Sequence, residues 1–169
     1  MAEAGILHED DRVELIEGEI LEMAAMGNRH AACVRRLNAL LSRLAERRYI
    51  VSPQCPIRLD DRTEPQPDIA LLKFREDFYA DAHPGSADVL VAVEISDTSL
   101  EYDLQVKLPL YARAGIPEVW LIDLRAEAVE VHSRPASGEY RERLRFRRGE
   151  TFSSKAVSGL KLAASDVLG

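Results

Sequence analysis

Two apolar segments of the chain each carry one carboxylate at a place where a buried strand is expected. Asp68 stands in "QPDIALLKF" (66–74), and Glu94 stands in "VLVAVEISD" (89–97). If both segments are antiparallel strands, equal arms about a loop centred near Asp81 place Asp68 opposite Glu94. Directly opposed residues have Cβ atoms about 4.5 to 5.5 Å apart, and like charges in that arrangement are destabilising. The pair therefore needs a compensating positive charge.

A shared divalent cation is one source of that charge. Partly buried carboxylates each lose several kcal/mol of solvation free energy, and a cation held by both offsets this loss better than a single arginine would. Hard oxygen ligands suit Mg²⁺ or Mn²⁺, which also keep bound waters. Asp68 and Glu94 therefore predict a site for Mg²⁺ or Mn²⁺.

A lysine on the helix that follows the second strand can reach the same edge of the sheet. Asp103, Lys107 and Tyr111 form one stripe of this helix. The bordering apolar stripe consists of Leu104 and Leu108. An ammonium group at the sheet edge can hold a nucleophile and stabilise charge on phosphoryl oxygens during phosphodiester hydrolysis. The spacing is equally compatible with a surface ion pair between Asp103 and Lys107, and with Asp68 as the mere start of a strand.

The N-terminal half is predicted to hold a hairpin and a long helix. "RVELIEGEILEM" (about 12–23) has the alternation of a β-hairpin with Gly18 in its turn. Apolar residues recur at helical spacing over about 28–48, with Asn28 as the N-cap. The hairpin and helix therefore precede the two carboxylate-bearing strands.

The central and C-terminal segments complete an α/β pattern. A catalytic core is predicted over about 66–123, with two strands, a helix that Pro109 kinks or shortens, and the strand "EVWLID". A second hairpin is predicted over about 127–147 around Gly138. This element order predicts a single mixed sheet flanked by helices, within one domain over 1–169.

Composition narrows the class of protein. The 169 residues are 46% hydrophobic and 30% charged, which is typical of one globular domain. No apolar stretch approaches the roughly 20 residues of a membrane helix, and the first eleven residues lack the pattern of a signal peptide. Cys33 and Cys55 have no metal-site spacing. We therefore expect a cytoplasmic protein with no membrane partner.

Basic residues are concentrated in two places despite a net charge of −7. One group lies on the long helix and comprises Arg35, Arg36, Arg43, Arg47 and Arg48. The other is "RERLRFRR" (141–148). Such runs usually form solvated faces. The alternative is nucleic-acid contact, in which Arg35, Arg36 and Arg43 follow a phosphate backbone beside the acidic cleft.

The segments "QPDIALL", "VAVEIS" and "YDLQVKLPLYARAGIPEVWLID" resemble the PD-(D/E)XK superfamily of restriction-endonuclease-like proteins. Together with "RVELIEGEILEM" and "NRHAACVRRLNALL", they are similar to its bacterial Uma-type endonuclease branch. The resemblance implies a restriction-endonuclease-like fold and a catalytic centre of Asp68, Glu94 and Lys107, with Asp68 and Glu94 as metal ligands. Ser96 stands where the superfamily lysine is expected, so the resemblance implies that the lysine comes from the following helix.

Two further residues match positions of the same pattern. His30 lies near the start of the long helix, where it could assist a phosphate or a water, or simply lie at the surface. Glu14 could complete the acidic cluster, although Glu17, Glu19 and Glu22 are not distinguished from it by spacing. Both are auxiliary candidates.

The predicted function is metal-dependent hydrolysis of phosphodiester bonds in nucleic acid, with DNA as the expected substrate. Restriction-like nucleases often dimerise to cut both strands, so the resemblance also implies that the protein could form a homodimer. One alternative is a non-catalytic module that binds nucleic acid or protein on the same fold. The other is a hydrolase of a small phosphorylated molecule, which the net charge of −7 favours.

Overall fold

The computed structural model describes residues 12–169. Its first half contains β1 (Val13–Ile16), β2 (Glu19–Glu22), α1 (Asn28–Leu44), β3 (Tyr49–Pro53), β4 (Ile69–Lys73), a 3₁₀ turn (Ser86–Asp88) and β5 (Val89–Ser96). A helical segment follows, consisting of α2 (Leu100–Tyr102), a π-helical stretch (Asp103–Lys107) and α3 (Leu108–Arg113). The remainder comprises β6 (Glu118–Asp123), β7 (Ala128–Ala136), β8 (Glu139–Arg147), β9 (Thr151–Ser153), β10 (Lys161–Ala163) and α4 (Ala164–Leu168).

Six strands form the main sheet in the order β3-β4-β5-β6-β7-β8. All neighbouring pairs are antiparallel except β5 and β6, which are parallel. The parallel pair is possible because the helical segment between its strands carries the chain back across the sheet. The predicted mixed sheet flanked by helices is therefore confirmed.

Hydrophobic cores cover both faces of this sheet. On one face α1, α4 and the β9–β10 ribbon bury a large cluster that includes Leu37, Leu41 and Trp120. On the other face Tyr111 and Ile116 pack in a smaller cluster against small and aliphatic residues of β4, β5 and β6. Alternate residues of each central strand thus enter different cores. Glu94 alternates with Val93 and Ile95, so it points to the face that carries Tyr111.

The register of β4 and β5 places Asp68 opposite Glu94. Ile69 pairs with Val93, and Asp68 and Glu94 are the next residues outward. The single shift in this ladder lies between Leu71 and Leu72, on the side of the connecting loop. The site end of the ladder therefore keeps the pairing that the sequence predicts.

The N-terminal hairpin forms where the sequence predicts it, whereas the ends of α1 differ. Glu17 and Gly18 both have positive φ, at 53° and 91°, as a tight hairpin turn requires. Asn28 is not the N-cap, because Gly27 has the extended conformation and accepts the first helical hydrogen bond. The helix ends at Leu44 rather than near residue 48, because the chain turns through left-handed residues into β3.

The middle of the helical segment after β5 is π-helical and therefore wider than an α-helix. This stretch ends two residues before Pro109, which lacks the N–H that a regular turn would use. The burial of the two stripes predicted for this segment is the reverse of the expectation. Asp103 and Lys107 are buried, whereas Leu104 and Leu108 are only half-buried. A surface ion pair between Asp103 and Lys107 is therefore excluded.

Within residues 12–169, no helix is long and apolar enough to cross a membrane.

Candidate active site

A cleft of about 600 Å³ lies at the edge of the main sheet where β4 begins and β5 ends. The hairpin, the start of α1 and the helical segment after β5 form its other walls. Acidic, basic and hydroxyl side chains line it on one side, namely Glu14, His30, Asp68, Glu94, Ser99, Tyr102, Asp103 and Lys107. The connection from β2 to α1 provides an apolar wall, namely Met23, Ala24, Ala25 and Met26. The carboxylates predicted from the sequence thus share one cleft.

Asp68 is held in place by two hydrogen bonds to the same oxygen. Its Oδ2 accepts the backbone N–H of Ile95 at 2.8 Å and lies 2.9 Å from His30 Nε2. The hydrogen bond with Asp68 raises the pKa of His30, although partial burial acts against it. The first turn of α1 and the start of β4 are therefore joined by an ionisable pair. Both contacts use Oδ2, and among residues 12–169 no side chain or backbone N–H bonds to Oδ1 of Asp68.

Glu94 is 3% exposed and is surrounded by donors. Lys107 Nζ lies 3.2 Å from each of its carboxylate oxygens, and the Tyr111 hydroxyl donates to Oε1 at 2.5 Å. Burial raises the pKa of Glu94 well above its ordinary value, while the charge of Lys107 acts against that shift. Burial of the carboxylate is thus compensated within the protein by one cation and one hydroxyl.

Lys107 bridges two buried carboxylates from different parts of the chain. Its Nζ lies 2.8 Å from Glu14 Oε1 and 3.2 Å from Glu94 Oε1. Burial lowers the pKa of Lys107, but the two carboxylates together raise it above its ordinary value. The Glu14 carboxylate also accepts the backbone N–H of Gln66 at 2.7 Å. The hairpin, β5 and the helical segment therefore meet at one charged ammonium group.

Asp103 connects the helical segment to the end of β5. Its Oδ2 accepts the hydroxyl of Ser96 at 2.6 Å and that of Ser99 at 2.8 Å. Burial raises the pKa of Asp103, whereas the two hydroxyl donors act in the opposite direction. Ser96, two residues after Glu94 on the same strand, thus fixes the helical segment that carries Lys107.

Two polar atoms of the cleft lack hydrogen-bond partners within the part of the chain that the structure describes. They are Nδ1 of His30 and the hydroxyl of Tyr102. A buried polar atom without a partner costs about 1 to 3 kcal/mol. Such groups are rare in folded proteins and are concentrated where a ligand or water completes the bonding. Both atoms therefore indicate that the cleft receives a polar molecule.

The donor set fits Mg²⁺ or Mn²⁺ rather than a metal that needs a full protein cage. Within residues 12–169, no group of three or more His, Cys, Asp or Glu side chains is arranged to hold a metal ion. Mg²⁺ is commonly bound by one or two carboxylates, with waters and substrate phosphates as its other ligands. Asp68 and Glu94 supply two carboxylates from adjacent strands in one cleft. The residues present thus meet that requirement, while a four-ligand zinc site is not formed among them.

Comparison with known proteins identifies the family and supports the fold. The family model described as "Uma2: Putative restriction endonuclease" matches residues 2–165. The chain belongs to the Uma2 family. A crystal structure of a putative nuclease of the DUF820 group from Anabaena variabilis ATCC 29413 has a similar fold, with a TM-score of 0.68 and 19% sequence identity. The alignment covers 98% of this chain and 94% of that chain. No curated protein matches the sequence.

The Uma2 chain brings together five of the residues singled out in its sequence. Asp68, Glu94, Lys107, His30 and Glu14 all line the cleft. Glu14 is distinguished from the other hairpin glutamates because it alone is buried and contacts Lys107. Glu14 is buried because side chains alternate along β1 and those of residues 14 and 16 face inward.

The arginines of α1 are not among the residues that line this cleft. Arg35, Arg36 and Arg43 are exposed on the helix. Arg36 donates to the backbone oxygen of Val167 at 3.2 Å and so joins α1 to α4. Arg43 lies thirteen residues beyond His30, which is about 20 Å along the helix. Their contact with nucleic acid stays a prediction.

Sequence reasoning gave no role to four residues that the Uma2 site uses. They are Gln66, Tyr102, Asp103 and Tyr111. Asp103 and Tyr111 were recognisable as members of the Lys107 stripe, since all three are spaced four residues apart. Gln66 contributes through its backbone, which no side-chain pattern indicates.

Proposed function

We propose that this Uma2-family protein is a metal-dependent endonuclease that hydrolyses phosphodiester bonds of nucleic acid, with DNA as the substrate and Mg²⁺ or Mn²⁺ as the cofactor. The observation that carries the proposal is the meeting of Asp68, Glu94 and Lys107 in one cleft. Membership of a family of putative restriction endonucleases supports it. Two carboxylates and one cation at a sheet edge are the groups that such hydrolysis needs.

Asp68 and Glu94 would hold the metal. Bound there, the ion would act as a Lewis acid toward a phosphoryl oxygen and lower the pKa of a water. Asp68 has its Oδ2 committed to His30 and to Ile95, which fixes the orientation of the carboxyl group. Glu94 is oriented in the same way by Tyr111. The two carboxylates are therefore pre-positioned before any ligand arrives.

Lys107 would stabilise negative charge rather than accept a proton. Its two carboxylate partners keep the ammonium group charged, so it has no lone pair with which to act as a base. The Lys107 side chain is buried, and a fixed positive charge shielded from solvent stabilises a developing phosphoryl charge more strongly than one in water. We assign Lys107 this electrostatic role.

His30 and Tyr102 would contact the substrate or its attacking water. His30 Nε2 is occupied by Asp68, whereas the buried Nδ1 has no hydrogen-bond partner among residues 12–169. The Tyr102 hydroxyl is a second group without a partner among residues 12–169. Phosphate oxygens and water both accept and complete such hydrogen bonds. The same pair of atoms would thus position the scissile group opposite Lys107.

A cleavage assay with matched substrates tests this function. Purified protein is incubated with supercoiled plasmid DNA, and separately with a panel of nucleotides and sugar phosphates, in Mg²⁺, Mn²⁺ or EDTA. Nicked or linear plasmid that forms only with metal is the expected result. Hydrolysis confined to the small molecules would favour a small-molecule phosphohydrolase. DNA binding without cleavage in either metal would favour a non-catalytic module.

A further inference from the structure

Four exposed arginines alternate along the edge strand β8. They are Arg141, Arg143, Arg145 and Arg147, at every second position of the strand. Residues two apart in an antiparallel strand are about 6.8 Å apart, so the four extend over about 20 Å. All four side chains are exposed. We refer to these four residues as the arginine ladder.

A buried carboxylate holds the centre of the arginine ladder. Glu130 on β7 is 5% exposed and lies 2.6 Å from Arg143 Nη2 and 3.5 Å from Arg145 Nη1. The side chains of Arg143 and Arg145 are nevertheless 56% and 39% exposed. One carboxylate therefore orients two guanidinium groups and neutralises only one of them. The net charge of this part of the strand stays positive.

Arg145, in the middle of the ladder, lies on the same face of the sheet as Glu94. Glu94 pairs with Leu121, Leu121 with Glu130, and Glu130 with Arg145. Residues directly opposite one another across neighbouring strands point to the same face. Three strand spacings of about 4.8 Å separate Glu94 from Arg145, which gives about 14 Å. The arginines of α1, in contrast, are on a helix that packs against the other face.

We propose that the arginine ladder binds the sugar-phosphate backbone of the nucleic acid whose scissile bond enters the cleft. The inference rests on the proposed function, because it takes nucleic acid as the ligand. Arginine forks match phosphate oxygens in charge and geometry. A length of about 20 Å corresponds to about six nucleotides of one strand of a duplex. The ladder therefore supplies the basic surface that the strongly acidic chain lacks at the cleft itself.

Arginines on an edge strand also have a simpler purpose, which is to prevent pairing with another sheet. Edge protection requires charge but no fixed orientation. The contacts of Glu130 with Arg143 and Arg145 neutralise a buried carboxylate and also fix the orientation of both guanidinium groups. Binding to a phosphate backbone benefits from this orientation, because pre-oriented side chains lose less conformational entropy when a ligand binds.

Salt-dependent binding of a labelled DNA duplex of about 20 bp tests the ladder. Fluorescence anisotropy in EDTA, over roughly 50 to 200 mM NaCl, measures the affinity and its salt slope without cleavage. The double variant R141Q/R147Q removes two ladder charges and leaves Glu130 with both of its arginines. Its slope is expected to be smaller by about 1.8 units, for two lost phosphate contacts. The variant R141K/R147K is expected to retain the wild-type slope, because it keeps both charges.

The matched control is R35Q/R43Q, which removes the same charge from α1 on the other face of the sheet. Its slope is expected to decrease less than that of R141Q/R147Q. An unchanged slope in R141Q/R147Q, or an equal decrease in both double variants, would overturn the proposal. Plasmid nicking is scored separately. Binding through the ladder without nicking would count against the proposed hydrolysis alone, whereas nicking with ladder-independent binding would count against this inference alone.

Discussion

Lys107 Nζ lies 3.2 Å from both carboxylate oxygens of Glu94, although the two residues come from different elements. In the PD-(D/E)XK pattern that the sequence resembles, the lysine follows the acid by two residues on the same strand. Here that strand position is Ser96, whose hydroxyl holds Asp103 at the start of the π-helical stretch. The ammonium group thus reaches the strand carboxylate from the helix.

Replacing Lys107 with methionine tests this relationship. Both residues have long unbranched side chains, but the variant leaves Glu14 and Glu94 buried without a cation. Breaking a buried ion pair in this way costs about 3 to 5 kcal/mol, so the metal-free variant is expected to unfold at a lower denaturant concentration. Hydrolysis is expected to decrease by about 10² or more. Mn²⁺ should stabilise the variant more than the wild type, because it replaces the missing charge.

The control for this variant is Lys73→Met, which removes the same charge from an exposed position on β4. Denaturant unfolding with and without Mn²⁺ and plasmid nicking are measured on both variants. If Lys107→Met retains wild-type nicking while folded, Lys107 has a structural role alone.

Replacing Glu94 with glutamine separates metal binding from folding. A glutamine can still accept the hydroxyl proton of Tyr111, but its amide oxygen is a neutral and weaker ligand for Mg²⁺ or Mn²⁺. We expect loss of both Mn²⁺ binding, measured by calorimetric titration, and plasmid nicking. Glu118→Gln makes the same change at another buried strand glutamate, which accepts Trp120 Nε1 at 2.5 Å outside the cleft. Wild-type Mn²⁺ affinity in the Glu94 variant would contradict its assignment as a ligand.

The pairing of Asp68 with Glu94 could be predicted from sequence because it depends on local geometry. Two strands joined by one loop have a register set by the loop centre, and the irregularity between Leu71 and Leu72 lies on the loop side of the site. The alternation of apolar residues then decides which face each side chain occupies. The fold class could also be predicted, because the order of strands and helices along the chain is visible in the sequence.

The burial of Lys107 could not be predicted in this way. It depends on the docking of the N-terminal hairpin, which brings Glu14 to within 2.8 Å of Nζ from a distant part of the sequence. It also depends on the π-helical stretch before Pro109, which changes the direction of each side chain in that turn. Helical periodicity at 3.6 residues per turn assigned the apolar stripe to Leu104 and Leu108, which are only half-buried. Helical periodicity in the sequence does not predict long-range contacts or an irregular turn.

His132 predicts a pH dependence of stability. Burial lowers its pKa in the folded protein, with Glu130 acting in the opposite direction. The unfolded chain therefore binds a proton near pH 6.5, whereas the folded protein binds it only at lower pH. The contribution of His132 is fully present above about pH 6.5 and is lost as the pH falls toward the folded pKa. His132→Gln should reduce this part of the pH dependence, measured by denaturant unfolding at a series of pH values.

Two tyrosines of the helical segment offer a matched test of the substrate contacts. The Tyr102 hydroxyl has no partner within residues 12–169, so Tyr102→Phe should leave the free energy of unfolding unchanged or slightly increased. If that hydroxyl contacts the substrate, plasmid nicking should still decrease, by about tenfold for one lost hydrogen bond of about 1.4 kcal/mol. Tyr111→Phe removes the donor to buried Glu94 and should instead destabilise the fold by about 1.5 to 3 kcal/mol. Unfolding and initial nicking rates are measured on both variants. Wild-type nicking by a folded Tyr102→Phe protein would show that the hydroxyl does not take part in hydrolysis.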